Sequence, residues 1–402
     1  MEYQTVKDIE VRGKRVLVRV DFNVPIDQKG QMTDETRLVK TLPTIQYLMK
    51  QGARTILISH LGRPKGKKNS QLSLKPAAAR LSKLLKQPVK FVDDCVGTEA
   101  KTESNKLKNG EVALLENLRF HPEEEENNSE FSKSLASLAE IYVDDAFGAA
   151  HRAHASTVGV TRFLPSVSGL LLAKEIEYFD RILRNPEQPF VAILGGAKVV
   201  DKIKVIETLM AKVDYLLIGG AMAYTFLKAR GHKIGSSKFD FESFEMAKKI
   251  LEKAKERKVQ FILPVDHVVA ETVTEGAKTN IADSDIPEGW MGVDIGPKTI
   301  EHFQTVIKKA KTVIWNGPLG VFEIKAFAEG TKQIAECLAG LKQATTVIGG
   351  GETAQAVMEL KLEDKFSHVS TGGGASLEYL EGRTLPGIEA LTKRAKQKQV
   401  VG

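Results

Sequence analysis

Runs in which almost every residue is apolar recur along the chain: "RVLVRV" (15–20), "ARTILIS" (53–59), "EVALLEN" (111–117) and "EIYVDDA" (140–146). Later come "FVAILGG" (190–196), "VDYLLIGG" (213–220), "VQFILPVD" (259–266), "KTVIWNG" (311–317), "TTVIGGG" (345–351) and "SHVSTGGG" (367–374). Between most of them lie stretches whose apolar residues return every three or four positions, such as 73–86 and 241–257. A strand apolar on both faces must be covered on both faces. Strands alternating with amphipathic helices therefore predict an α/β protein built on parallel sheets. The expected fold is two doubly wound, Rossmann-like parallel-sheet domains.

The two halves end their strands differently. Before about residue 160 the runs close on Arg, His, Asp and Asn; after about 190 they close on glycine clusters. Between them, 169–189 reads as one helix ending near Asn185-Pro186, a connector between domains. A length of 402 residues likewise exceeds what one hydrophobic core usually serves.

Charge and composition narrow the function classes. The formal charge is +7, but much of it lies in lysines interleaved with glutamate at helical spacing, as in 246–258, which reads as a solvated helix face. No nucleic-acid-binding pattern accompanies it, so no nucleic-acid partner is expected. No apolar stretch reaches 18 residues and the first residues carry no apolar signal core, so the expected location is the cytoplasm, with no membrane partner. Only Cys95 and Cys337 are present, which fits a reducing compartment and neither a disulfide framework nor a thiolate metal site. The acidic run 123–126 reads as a solvated turn or helix start.

In an open parallel sheet, ligands bind beyond the carboxyl ends of the strands. In the first half these ends supply Asp21, Asn23, His60, Arg63, Arg119, His121, His151, Arg152 and His154, with Arg37 opening a helix. Arginines converging on one sheet edge repel one another unless an anion sits among them, and the guanidinium fork suits phosphate or carboxylate. The opening of "SHLGRPKG" (59–66) is thus expected to form part of an anion socket. "HRAH" spaces His151 and His154 three apart, but no further ligand at recognisable spacing argues for zinc.

In the second half, glycine clusters follow four strand-like runs, where bare backbone and a following helix N-terminus suit phosphate. Lys198 and Lys202 lie four apart behind one cluster, so a helix starting there would place both ammonium groups on one face. There is no Walker P-loop string. "GGGETA" (349–354) fits the looser dinucleotide fingerprint, but the next strand-like run ends without the carboxylate that a ribose requires. Glu352 instead stands where a carboxylate can hold the magnesium of a nucleotide phosphate.

The strings "RVDFNVP" (19–25), "SHLGRPKG", "LLENLRF" (114–120), "DDAFGAAHRAHAS" (144–156), "LGGAKVVDKI" (194–203), "WNGPLGVFE" (315–323), "GGGETA" and "STGGGASLEYLEG" (370–382) resemble, in order, the phosphoglycerate kinase family. That resemblance implies reversible phosphoryl transfer between 1,3-bisphosphoglycerate and MgADP, giving 3-phosphoglycerate and MgATP, in line across a closing inter-domain cleft. It implies a 3-phosphoglycerate-binding domain over 1–168, joined by the C-terminal segment 377–402, a connecting helix over 169–188, and a nucleotide-binding domain over 189–376. Asp21, Phe22, Asn23, Arg37, His60, Leu61, Gly62, Arg63, Arg119 and Arg152 would bind the glycerate and its phosphate. Gly195, Gly196, Lys198, Lys202, Gly219, Gly220, Asn316, Pro318, Glu323 and Gly349, Gly350, Gly351, Glu352 and Thr353 would bind nucleotide, with Glu352 on Mg2+. Arg37, Lys198, Gly372 and Gly373 would face the transferred group. The family also implies a monomer. Against its usual pattern, Glu352 replaces a commoner Asp, Asp144 a commoner Asn, and Ala326 a commoner Pro.

Overall fold

The computed structural model describes residues 3–27 and 32–399. Residues 1–2 and 400–402, which fall in the expected first domain and C-terminal segment, lie outside the described residues, as do 28–31. The chain divides into two units, 1–177 with 384–402, and 178–383. The division falls within the helix Leu170–Arg184. The return to the first unit begins at Thr384, and the helix starting at Pro386 is tied there by Gly387 N–H donating to Ala150 O at 2.9 Å.

The first unit holds strands β1 (Arg15–Arg19), β2 (Arg54–Ile58), β3 (Val89–Val92), β4 (Val112–Leu115), β5 (Ile141–Asp144) and β6 (Ser166–Ser168). They form one parallel sheet in the order β3-β4-β2-β1-β5-β6. The second unit holds β7 (Phe190–Leu194), β8 (Tyr215–Ile218), β9 (Gln260–Ile262), β10 (His267–Ala270), β11 (Thr279–Ala282), β12 (Met291–Ile295), β13 (Thr312–Asn316), β14 (Thr345–Gly349) and β15 (His368–Val369). Six of these form a second parallel sheet, β15-β14-β13-β7-β8-β9, while β11-β10-β12 form a small antiparallel one. In each parallel sheet the chain starts in the interior, winds outward one way, then returns to wind the other. The reversal lies between β1 and β5 in one sheet and between β7 and β13 in the other, and these switch points open the crevices where ligands bind.

The strands are buried because Val, Ile and Leu occupy both faces. Val16, Val18, Leu57 and Leu114 pack into the first core, and Val191, Ile193, Val313 and Trp315 into the second. All ten apolar runs are strands. Two expectations need correction. The stretch behind Gly196 does not enter a helix at once: a 3-10 turn, Val200–Lys202, precedes the helix Ile203–Leu209. Lys198 therefore stays exposed while Lys202 is buried, and the two do not share a helix face. The acidic run is not wholly solvated either, since Glu124, in the short helix Pro122–Glu125, is completely buried.

Candidate active site

In the first unit the loops beyond β1, β2, β4 and β5 are stitched together by side chains. Asp21 Oδ2 accepts from Arg37 Nη1 at 2.8 Å, and the same nitrogen donates to Asn23 O at 3.0 Å. Asn23 Oδ1 in turn accepts from Gly62 N–H at 2.9 Å. These bonds join the β1 loop, the first turn of the helix Thr36–Lys50 and the β2 loop. Asn117, buried after β4, ties the next joint: its amide donates to Leu61 O at 2.7 Å and Leu72 O at 2.9 Å, while its Oδ1 accepts from Arg119 N–H at 3.0 Å. Arg119 Nη1 donates to Gly62 O at 2.9 Å, and its Nε pairs with Glu125 at 3.2 Å.

The charges in this pocket are concentrated. His60 is buried and its Nδ1 lies 2.9 Å from Arg19 Nη2. Burial first, then the positive charges of Arg19, Arg119, Arg37 and Arg152, hold the His60 imidazole well below its ordinary pKa, so the ring is neutral near pH 7. His154 is held down to about 3 by burial and then by Arg119, Arg19 and Arg152. Behind them, Glu124 accepts from Ser156 Oγ at 2.6 Å and Ser156 N–H at 2.9 Å, and Ser156 Oγ also accepts from Arg19 Nε at 2.9 Å. Arg19 further donates to Val20 O.

Of the expected glycerate-site residues, Asp21, Asn23, Arg37 and Gly62 are bonded to one another. His60, Arg119 and Arg152 share one electrostatic field, and Arg152 Nε bonds His151 Nε2 at 3.1 Å. Arg63 is exposed and makes no side-chain hydrogen bond or ion pair with another described residue. Phe22 and Leu61 are turned inward. Their side chains belong to the hydrophobic core, so only backbone groups remain to meet a ligand, and Phe22 N–H is already given to Ser59 Oγ at 2.9 Å. Arg19, Asn117, Glu124 and Ser156 were not anticipated. The one legible signal was Arg19, a lone guanidinium in an otherwise apolar strand.

In the second unit, β13 ends at Asn316 in register with Leu194 of β7 and Gly349 of β14. Lys202 Nζ donates to Asn316 O at 3.2 Å and also bonds Asn316 Oδ1, across the switch point. Burial pulls the Lys202 ammonium down to about 8, against the opposing charges of Glu352 and Asp201. Asn316 Nδ2 is buried, has no hydrogen-bond partner among the described residues, and lies beside Gly349 and Gly350. The helix Gly351–Glu359 begins there with no side-chain cap, leaving its first N–H groups for other acceptors.

The glycines divide into two kinds. Gly195 is needed by the fold: a Cβ there would lie 2.0 Å from Pro318 O and 2.7 Å from Gly317 O. Gly220, at φ +63°, would set a Cβ 2.6 Å from Gly196 N. Gly196 N–H donates to Pro318 O at 3.1 Å, and Gly219 faces Leu319. A Cβ at Gly195, Gly219 or Gly220 would meet the chain's own atoms, so the fold itself requires glycine at these three positions. Gly351 and Gly373, by contrast, have no atom within 4 Å of the Cβ position and face open space. Gly372 is buried, its N–H given to Ser370 Oγ at 3.0 Å. The Thr353 hydroxyl is buried and accepts from Gly317 N–H at 2.6 Å. Lys198 and Glu323 are exposed and make no side-chain hydrogen bond or ion pair with another described residue.

Comparison with known proteins gives a uniform result. A family model described as phosphoglycerate kinase matches residues 6–383. The chain is 56% identical over 387 residues to a phosphoglycerate kinase of Dictyoglomus turgidum, covering 96% of this chain and 97% of that one. It is 53% identical over 398 residues to one of Pseudothermotoga lettingae, covering 98% and 100%. Among solved structures it resembles phosphoglycerate kinase from Coxiella burnetii, with TM-score 0.88, 42% identity, and 98% and 100% coverage of the two chains. The match to the enzyme from Pyrococcus horikoshii OT3 has TM-score 0.82 and 33% identity, covering 97% and 98%.

Proposed function

The chain belongs to the phosphoglycerate kinase family and transfers a phosphoryl group reversibly between 1,3-bisphosphoglycerate and ADP, and from that premise we propose how its residues divide the work. The first unit binds the glycerate and its phosphate. The observation that carries this is His60, buried and held neutral within the field of Arg19, Arg37, Arg119 and Arg152. Such a concentration of guanidinium charge is relieved by an incoming anion. Arg63, Arg119 and Arg152 take phosphate or carboxylate oxygens, Asp21 and Asn23 accept from the substrate hydroxyl, and Asn117 holds the loops that present them.

The second unit binds the nucleotide. Lys202, Asn316 Nδ2 and the free N–H groups of Gly351, Glu352 and Thr353 converge on one crevice, which suits phosphate oxygens. Gly196 and Gly220 shape the wall, and Glu323 accepts from the ribose hydroxyls. Mg2+ bound with the nucleotide would supply neutralisation of phosphate charge. One carboxylate plus phosphate oxygens is its usual mode of binding, and exposed Glu352 at the first turn of that helix fits it.

The transferred group spreads its charge over three oxygens, so catalysis is positioning and charge stabilisation, without a general base or covalent intermediate. Arg37 and Lys198 supply that charge, and the backbone of Gly372 and Gly373 lines the path. Excluding water protects the acyl phosphate from hydrolysis. The reading extends to a monomer in the cytosol, acting on small molecules and on no nucleic acid. Among the described residues no helix is long and apolar enough to cross a membrane.

The direct test is an assay in which 3-phosphoglycerate and MgATP form product that a dehydrogenase then reduces with NADH. NADH oxidation that requires both 3-phosphoglycerate and MgATP supports the reading, and none would overturn it. Within that assay Lys198→Ala and Arg37→Ala should each lower kcat by roughly 10³–10⁵-fold, the range for cationic phosphoryl stabilisers. Lys198→Ala should leave ADP affinity nearly unchanged. A raised KM with full turnover would refute the transition-state role.

A further inference from the structure

Away from both crevices, the fold assembles three metal-ligating side chains of different chemistry that the proposed reaction does not use. Asp94 and Cys95 follow β3, and His121 caps the short helix beyond β4. One ligand atom from each lies within 4.8 Å of the other two. His121 Nε2 is 2.7 Å from Asp94 Oδ1, and both side chains are partly exposed, at 26% and 32%. Cys95 is completely buried beneath them. An ion can therefore enter from solvent past the imidazole and carboxylate and find sulfur at the floor. From these observations we propose that Asp94, Cys95 and His121 form a binding site for a divalent transition-metal ion of the zinc type, with solvent in the fourth position.

The ligand chemistry selects the metal. A thiolate with an imidazole and one carboxylate suits Zn2+ or Co2+, whereas Mg2+ and Ca2+ require mainly oxygen. Tetrahedral zinc holds such ligands about 3.3–3.6 Å apart, given bonds of about 2.0–2.3 Å. The His121–Asp94 pair must open by less than about 1 Å, and the sulfur, within 4.8 Å of both, must close by at most about 1.5 Å.

Proton accounting follows. Without metal, burial first and then the charge of Asp94 push the Cys95 thiol well above its ordinary pKa, so it is neutral and unreactive. Coordination replaces the S–H proton by the metal and releases that proton to water. The His121 ring binds through Nε2 in its neutral form, with its proton on Nδ1. The set is invisible in the sequence because Asp94-Cys95 and His121 are separated by a helix and β4, and only the β3-β4 pairing brings them together.

The test uses the full-length chain titrated with CoCl2 and, separately, ZnCl2. One equivalent of Co2+ should give the near-ultraviolet absorption of a cobalt–thiolate bond, and one equivalent of Zn2+ should abolish it. Cys95→Ser and His121→Ala should each weaken Co2+ binding at least tenfold, and Cys95→Ser should lose the thiolate band. Cys337→Ser should leave both unchanged. Circular dichroism of each variant checks folding. Should Cys95→Ser fail to fold, Asp94→Asn serves, with the band expected to persist at lower affinity. Binding without a thiolate band, a band that survives Cys95→Ser, or no binding at all would each overturn the site.

Discussion

Arg63 makes no polar side-chain contact with another described residue, unlike Arg37, Arg119 and Arg152, so replacing it disturbs nothing in the free protein. Arg63→Ala should weaken 3-phosphoglycerate by roughly 10–100-fold, the worth of a charge-assisted hydrogen bond, and leave ADP untouched. Isothermal titration with each ligand decides, since an equal loss for both would contradict separate sockets. Lys202 permits a sharper test, because burial has brought its ammonium down to about 8. Phosphate near that nitrogen favours the charged form, so ADP binding at pH 8–9 should take up a proton. ADP affinity should then decline above about pH 8, by up to about tenfold per pH unit. The nucleotide phosphates, with a last pKa near 6, are fully ionised over this window. Titrations in buffers of different ionisation enthalpy measure the uptake. Lys202→Met should abolish both effects, and a flat profile from pH 7 to 9 in the parent would exclude Lys202 as a phosphate ligand.

At the level of elements, the glycine clusters serve two purposes that sequence alone does not separate. Gly195→Ala forces a methyl against the Gly317–Pro318 backbone at the β7–β13 switch point, where neither strand can yield without breaking its ladder. It should destabilise the second unit by roughly 3 kcal/mol or more, the scale of overpacking with no escape. Gly351→Ala meets open space at a helix start, and should melt at the parental temperature while binding ADP more weakly. Thermal melts paired with ADP titration test both. Both glycines sit in like-looking strings, "LGG" and "GGG", so only the partner strand distinguishes them. Ten strands were legible because Val, Ile and Leu dominate the runs that hold them. β3, with exposed Lys90, and β6, with two serines, were too polar to stand out. The antiparallel β10–β12 sheet was missed for a related reason: β11 is largely exposed and carries no apolar run. In the site, the charged residues at strand ends were readable from topology. Asn117, Glu124 and Ser156 were not, because their role is to satisfy other side chains and no spacing marks it.

Across the whole molecule, several buried groups are held away from their ordinary charge state, and their balance sets how stability varies with pH. Burial raises Asp144 to about 7, Asp145 to about 8 and, in the second unit, Asp294 to about 7. Each carboxyl keeps its proton in the folded state and loses it near pH 4 in the unfolded chain. The stability it contributes is full below about pH 4 and is lost as pH rises through the folded value. His154 and His267, held near 3 and near 4 by burial, act in the opposite sense, but their effect is nearly complete by pH 7. Lys202, lowered to about 8, gains stability with rising pH and, in the same unit, opposes Asp294. From pH 7 to 8.5 the first unit loses about 1 kcal/mol through Asp145 and about 0.4 kcal/mol through Asp144, whereas the second gains about 0.8 kcal/mol through Lys202 against about 0.4 kcal/mol lost through Asp294. Urea denaturation at the two pH values should therefore show the first unit weakening as pH rises and the second holding or strengthening. Asp144→Asn keeps the acceptor for Ala146 N–H, now bonded at 3.0 Å, and removes the titrating proton. It should lessen the first unit's loss of stability with pH while leaving the second unit's slope, which Asp294→Asn should shift upward instead. Identical slopes in parent and Asp144→Asn would mean that Asp144 is already ionised in the fold, with the positive charge of Arg19 outweighing burial.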